Sequence, residues 1–306
     1  MDGEEITLSI NDKMVANIES GKSSHKMSAL PASEFPQIPD LVSDRSFICS
    51  QSVIKKMFSQ VAFAMGNNDQ RTILNGTFVR IEDDAITMVS CDSFKLAKCR
   101  RRAELSNKNT NGDAHLNYRF VVPAKTVNEL TRLLSDDTSA LTQLYVTRKH
   151  IVFIIGEITF FSRLVDGEYI DYNRIIVNNH NITVVAEKAE LISALERAAL
   201  ITEERIAGNV RAHVKLDIRE DLLKISTISV IGSTYDELVV DHFGNDITIA
   251  FNNRFLIDSI RACDCDKLQM MLSSPLNSMN ITPYRDEECE NDADELFMLL
   301  PVRTKE

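Results

Sequence analysis

One strand plan recurs three times along the 306 residues, at intervals the size of a domain. Residues 5–20, EITLSINDKMVANIES, alternate apolar and polar side chains as two short strands do, then run into HKMSALPASEFPQIPDL at 25–41. Residues 144–176, LYVTRKHIVFIIGEITFFSRLVDGEYIDYNRII, follow the same order of strand, turn, strand, strand and acidic-aromatic turn. Glu34-Phe35-Pro36 aligns with Glu168-Tyr169-Ile170, an offset of 134 residues (168 minus 34). A third version closes the chain in LQMMLSSPLNSMNITPY and ELFMLLPVR. Repetition at this spacing implies tandem copies of one domain.

The helical segments repeat as well. Residues 51–66 place Val53, Ile54, Met57, Val61 and Ala64 on one stripe, with Gly66 as the C-terminal stop. Residues 186–199 give a second amphipathic helix with Leu191, Ala194, Leu195 and Ala198 inward. VVPAKTVNELTRLL (121–134) and IAFNNRFLIDSIRAC (249–263) each read as a short apolar strand leading into a helix. The expected fold class is therefore α+β, in repeated units with two helices packed on antiparallel sheets. The expected boundaries are 1–41 for the closing strands of an incomplete first unit, 42–172 for one complete unit and 173–306 for another. NKNTNGDAHLN (107–117) is polar without apolar period and reads as a flexible loop. RDEECENDADE (285–295) reads as an exposed acidic loop, with a partner-facing patch as the alternative.

Composition closes off several classes. At 44% hydrophobic residues the chain can bury a sizeable core, and nothing approaches 18 consecutive apolar residues. The N-terminus, MDGEEITLSI, is acidic where a secretion signal is basic and then apolar, so a cytoplasmic location with no membrane association is expected. The cysteines fit that compartment. Cys49, Cys91, Cys99, Cys263, Cys265 and Cys289 form no C-x-x-C pair and no zinc-site spacing, and read as structural thiols. Cys263-x-Cys265 is the one close pair.

A net charge of −11 argues against a nucleic-acid binder, but the charges are unevenly distributed. The windows 51–66, 123–134, 186–199 and 252–263 hold eight cations and five acids, a net of +3, which leaves −14 for the remainder. One reading is that Lys and Arg are simply good helix formers on solvated faces. The other is that one surface of an acidic protein touches a phosphate backbone, which requires all four helices on one side.

No catalytic constellation is visible. G-x-G-x-x-G, the phosphate-binding loop, G-x-S-x-G and H-E-x-x-H are all absent. Gly21-Lys22-Ser23 mimics the end of a phosphate loop, yet Ala16 stands where its first glycine belongs. His25, His115, His150, His180, His213 and His242 are scattered, and His213 alternates with Val210, Ala212 and Val214 as a solvent-facing strand residue. Asp83, Asp84 and Asp92 are the only carboxylates an enzyme reading can use, and Asp83-Asp84 sit where a hairpin turn belongs. No cofactor and no metal are expected.

Taken together, LPASEFPQIPDL, FVVPAKTVNELTRLL, SRLVDGEYIDYNRII, RAALITEERIAGNVR, IAFNNRFLIDSIRA and the C-terminal LLPVR come in the order and spacing of one family. The chain resembles the bacterial DNA polymerase sliding clamp, the beta subunit of DNA polymerase III, over almost its whole length. The resemblance implies a DNA clamp fold of tandem domains, three to a protomer. In the family a homodimer closes a ring around duplex DNA, helices inward and sheets outward. It implies a non-catalytic processivity factor whose inner helices turn Lys55, Lys56, Lys125, Arg132, Arg197, Arg254 and Arg261 toward phosphates, without sequence specificity.

It also implies an apolar groove between the last two domains, which receives a short peptide from the polymerase III catalytic subunit, the clamp loader and other clamp-binding-motif proteins. Carried over by position, that groove involves Arg71, Leu74, Lys95, Leu96, Ile170, Arg174 and Ile175, with Leu276, Ser278, Met298, Leu300, Pro301, Val302 and Arg303 from the last unit. Aliphatic side chains there accept apolar anchors, while Arg and Ser fix the peptide backbone. From the residues alone, Leu276, Met298 and Leu300 read as ordinary strand core.

Three departures bear on the groove. Phe94 and Lys95 stand where the family often has His and Arg, and Ile170 replaces a Pro; Lys lacks the fork of Arg. The protomer interface implied by the resemblance pairs His25 and Met27 with Leu200 and Ile201 of a partner. Because the chain matches only the closing part of the first domain, weak ring closure is expected. The alternative function is then a peptide-binding module that cannot encircle DNA.

Overall fold

The computed structural model describes residues 5–35, 43–202, 213–229, 232–285 and 293–303. Two compact units are present, Met1–Val42 and Ser43–Glu306.

The first unit is a three-stranded antiparallel sheet of Thr7–Ile10, Val15–Ser20 and Ser23–Ser28. Its first turn is built by Asn11, whose Oδ1 accepts from the backbone N–H groups of Lys13 and Val15, both at 3.0 Å. That side-chain bond holds Met14 at φ 54°, a left-handed conformation that non-glycine residues enter rarely. The second turn uses Gly21 at φ 57°. Ala16 and Ser20 are the residues this small sheet buries, and Ile6, Leu8, Ile10 and Met27 stay exposed.

The second unit grows from strands that lead directly into helices. Ser46–Ser50 runs into α1 (Gln51–Val61), Asn117–Pro123 into α2 (Ala124–Leu133), Ile182–Glu187 into α3 (Lys188–Thr202), and Ile247–Phe251 into α4 (Asn253–Ala262). Each entry has a local cause. Pro123 precedes α2 with extended backbone, and Asn252 caps α4 by accepting from Phe255 N at 3.2 Å. Ile54, Met57 and Val61 of the α1 stripe are buried, as are Leu191, Ala194, Leu195 and Ala198 of α3. Past α1 a short 3-10 turn, Ala62–Ala64, leads to Gly66, whose N–H donates to Leu74 O at 2.8 Å.

Three antiparallel sheets support these helices. Five strands run in the order Ile158–Arg163, His150–Ile155, Leu141–Val146, Ser46–Ser50 and Ser106–Asn107; four run Gly232–Val239, Leu222–Ser229, Val214–Arg219 and Ile247–Phe251. The third sheet has nine strands and crosses the middle of the unit, because Ala293–Leu299 pairs with Lys95–Arg102 in the register Met298↔Leu96. The helices lie side by side in the order α2, α1, α4, α3, and Gln60 Nε2 of α1 donates to Ala262 O of α4 at 3.0 Å.

Two segments differ from the sequence reading. The polar stretch 107–117 is tied down: Lys108 N donates to Ser46 O at 2.9 Å, Ser46 N donates to Asn109 Oδ1 at 3.0 Å, and Leu116 is buried. Its polar side chains satisfy neighbouring backbone. Within 285–295, residues 286–292 lie outside the described residues, but Ala293–Glu295 begin a strand and Glu295 is only 2% exposed. Glu295 reads as loop because its partner, Arg101, is far away in sequence.

Candidate functional site

Several residues assigned to the groove, Leu96, Ile170 and Met298 among them, fall on the face of the nine-stranded sheet opposite the main core. Strand alternation sends Phe297 and Leu299 to the main core and Leu296 and Met298 to the opposite face, where Met298 meets Val89, Cys91 and Leu96. Tyr169, Ile170, Tyr172 and Ile176 pack on this second cluster, and Phe78 stacks on Tyr169 with ring centroids 5.2 Å apart. Leu74, Leu96, Met298 and Ser278 are buried, and Ser278 Oγ has no hydrogen-bond partner among the described residues. Ile175, Leu276 and Leu300 remain exposed at 39%, 69% and 44%.

The C-terminal segment links two ends of the site. Leu300 N donates to Phe94 O at 2.9 Å, placing both exposed side chains on one rim, and Val302 N donates to Ala250 O at 2.8 Å. Beyond Pro301, Val302 and Arg303 join Leu276 in lining a cavity of about 1000 Å³. His213, Lys215 and Thr248 line it too, and sequence reasoning did not assign them to the site. Their signal was weak, since nothing in the local sequence distinguishes His213, Lys215 or Thr248 from ordinary residues in and beside strands. His213, expected to face solvent, is half-buried; burial, reinforced by the charge of Lys215, holds its imidazole below the ordinary value.

The charged groups at the rim are already engaged. Arg71 donates to Asp69 through Nε and Nη2 at 3.2 and 3.1 Å and to Ser93 Oγ at 2.9 Å, which keeps the Asp69 carboxyl below the usual carboxylate range. Arg174 Nε lies 3.0 Å from Asp171 and is freely exposed. Lys95 behaves differently. Its side chain is 7% exposed, bonded to Asp92, with Nζ 4.3 Å from the centre of the Phe255 ring. Asp92 Oδ1 also accepts from Phe94 N and Lys95 N at 2.7 and 2.8 Å. Lys95 and Asp92 thus brace the turn that presents Phe94.

The seven cations assigned to phosphates sit on or beside the helix row, and six of them are ion-paired. Lys55 pairs with Asp136 (2.6 Å), Lys56 with Asp264 (2.5 Å), Arg132 with Glu129 (3.4 Å), Arg197 with Asp236 (2.6 Å), Arg254 with Asp258 (3.9 Å) and Arg261 with Glu196 (2.5 Å). Lys125 is exposed, with no ion pair among the described residues. Between α1 and α4 lies a depression of about 390 Å³ lined by Lys56, Lys188 and Arg261. Lys188 was counted in its helical window but not assigned to phosphates; tertiary contact brings it there.

His25 and Met27 are exposed on the strand Ser23–Ser28, Leu200 is 76% exposed near the end of α3, and Ile201 is half-buried. Asp83 and Asp84 form the expected turn, where Asp83 accepts from Leu116 N at 2.6 Å. No group of three or more His, Cys, Asp or Glu among the described residues is placed to hold a metal ion.

Repeated α+β units, a continuous helix row and an apolar rim fed by the C-terminal strand define a binding scaffold. The chain belongs to the DNA polymerase III beta subunit family: its central-domain model matches residues 49–171 and its C-terminal-domain model residues 173–295. It is 28% identical over 304 residues to the beta sliding clamp of Proteus mirabilis, covering 99% of this chain and 77% of that one. Among solved structures it resembles a putative DNA polymerase III beta subunit from Eubacterium rectale, at 25% identity and a TM-score of 0.82, over 98% of this chain and 76% of that one. The Pseudomonas aeruginosa sliding clamp bound to griselimycin matches with 25% identity and a TM-score of 0.79, over 98% and 76%. Membership makes the protein a sliding-clamp processivity factor of DNA replication rather than an enzyme. Among the described residues no helix is long and apolar enough to cross a membrane.

Proposed function

We propose that the protein encircles duplex DNA as a homodimer in the cytoplasm and tethers the polymerase III catalytic subunit, the clamp loader and related proteins through the groove. The observation that carries the DNA reading is the single row α2, α1, α4, α3, which brings the seven assigned cations along one run of helices. Their pairs are mostly exposed, and an exposed ion pair contributes about 0–1 kcal/mol, so phosphates can replace the carboxylates at little cost. The same carboxylates keep the contact weak, which suits sliding. Persistence then comes from encirclement.

The groove reading rests on Phe94, Leu300, Ile175 and Leu276, exposed apolar groups beside Arg174 and the Val302–Arg303 cavity. The griselimycin-bound relative supports a ligand groove in this family. We assign the units as 1–41, 42–172 and 173–306, with His25 and Met27 meeting Leu200 and Ile201 of a partner; the two family-model ranges support the last two units.

Retention on DNA tests the first reading. The protein is loaded on a nicked circle, which is then linearised. Loss on linearisation establishes encirclement. Equal retention on linear and circular DNA removes it. Fluorescence polarisation with a short apolar clamp-binding peptide tests the groove, and binding unaffected by Arg174→Ala and Leu300→Ala would place the peptide elsewhere. Peptide binding without DNA retention establishes the second reading, a peptide-binding module. That reading is favoured by the small apolar burial behind His25 and Met27.

A further inference from the structure

Cys263 closes α4 and is fully buried, whereas Cys265 is partly exposed, and their Sγ atoms stand 3.3 Å apart. The other described cysteines are isolated in the interior: burial pushes Cys49 and Cys99 up to about 12 and Cys91 up to about 11. Cys265 moves the opposite way. A hydrogen bond from Cys263 holds its thiol below the ordinary value against partial burial, and the Lys188 ammonium acts in the same sense. Lys188 Nζ is fixed at this helix end by donating to Cys263 O at 2.5 Å and Arg261 O at 3.2 Å. Cys265 is thus the more exposed of the two, its thiol held below the ordinary value, with the second sulfur in contact with it. That is how an attacking and a resolving cysteine are arranged.

We propose that Cys263 and Cys265 form a reversible dithiol–disulfide pair oxidised by hydroperoxides. The Cys265 thiolate attacks one oxygen of hydrogen peroxide; the O–O bond breaks, Cys265 becomes a sulfenic acid, and hydroxide leaves and takes up a proton. Cys263 sulfur then attacks the Cys265 sulfur. The S–S bond forms, the S–O bond breaks, and the hydroxyl departs as water with the proton of Cys263. The two thiols lose two electrons and two protons, and one peroxide becomes two waters.

Asp264 lies between the two cysteines in the chain. Its N–H donates to Glu295 Oε2 at 2.9 Å, and its carboxylate pairs with Lys56 at 2.5 Å and Arg101 at 3.3 Å. Ring closure around this residue therefore acts on the contacts that join α1 to the end of α4.

The test treats the intact protein with hydrogen peroxide, alkylates remaining thiols under denaturing conditions and digests with trypsin. Cleavage after Arg261 and Lys267 leaves both cysteines on the single peptide Ala262–Lys267. The expected result is loss of both alkyl groups and a peptide lighter by two hydrogens, with full recovery of both groups after dithiothreitol. In Cys263→Ser, Cys265 is expected to stop at a sulfenic acid trapped by dimedone; in Cys265→Ser, Cys263 stays alkylatable. The proposal is overturned if both cysteines remain alkylatable at peroxide concentrations that oxidise the methionines, or if Cys265 proceeds to sulfinic acid without a disulfide. The wild-type peptide mass decides it even if Cys263→Ser misfolds.

Discussion

Arg101 Nη2 donates to the buried Glu295 Oε1 at 2.6 Å, and these residues belong to two strands almost 200 positions apart that are neighbours in one sheet. Gln60 Nε2 of α1 donates to the same oxygen at 2.7 Å, so one carboxylate joins a helix and two strands. A buried charge stripped of its partner costs about 3–5 kcal/mol, because the remaining ion is left without compensation. Glu295→Ala, which leaves Arg101 only the more distant and more exposed Asp264 at 3.3 Å, is expected to lower the stability of the second unit toward the lower end of that range. Urea unfolding followed by circular dichroism checks it, and a loss under about 1 kcal/mol would mean that water replaces the carboxylate.

Phe94 and Lys95 are adjacent but have different work. Phe94→Ala removes an exposed apolar side chain at the rim and is expected to weaken peptide binding by about 1–2 kcal/mol, with stability unchanged. Lys95→Ala breaks a buried pair with Asp92 and is expected to cost stability first, by about 3 kcal/mol. Isothermal titration and thermal unfolding of both variants separate the two roles. A Lys95→Ala protein of normal stability that no longer binds peptide would make Lys95 a direct ligand contact.

The helix row predicts a distinctive salt dependence. Each phosphate-neutralising cation contributes about one to the log–log slope of affinity against salt. Lys56→Ala and Arg261→Ala are each expected to lower that slope by about one on duplex DNA of any sequence. Filter binding across a salt series reads it, and a change confined to one sequence would point to base contacts instead.

His213 should titrate below 6.5, its ordinary value, because burial and Lys215 disfavour the imidazolium. The unfolded chain then takes up the proton first as pH falls. The stability His213 contributes is present above the unfolded value and is lost as pH drops through it toward the folded one. Histidine NMR across the acid range reads the midpoint directly. A midpoint at or above 6.5 would mean that the imidazole is solvated or has gained a carboxylate partner.

Local pattern settled much of this protein. Of the α1 stripe, Ile54, Met57, Val61 and Ala64 are buried and Val53 only partly, while the α3 stripe of Leu191, Ala194, Leu195 and Ala198 is buried throughout. Helical period is a property of neighbouring residues, so it is legible along the chain. The strand-to-helix entries at Pro123 and Asn252 were legible for the same reason, and the repeat together with motif order pointed to the family.

Only the tertiary structure decided which charges are spoken for and which apolar residues stay open. Glu295 reads as one more acid in an acidic stretch until Arg101 and Gln60 arrive from distant segments. Lys95 reads as a rim cation until Asp92 and the Phe255 ring enclose it, and Lys188 joins Lys56 and Arg261 only because α1, α3 and α4 converge. Met298 and Leu300, two positions apart, differ in exposure through what covers them: Tyr169 and Ile170 lie on the cluster around Met298, while the neighbouring rim leaves Leu300 open. Such pairings depend on strand register and helix order across the whole unit, and no local period of a sequence carries that information.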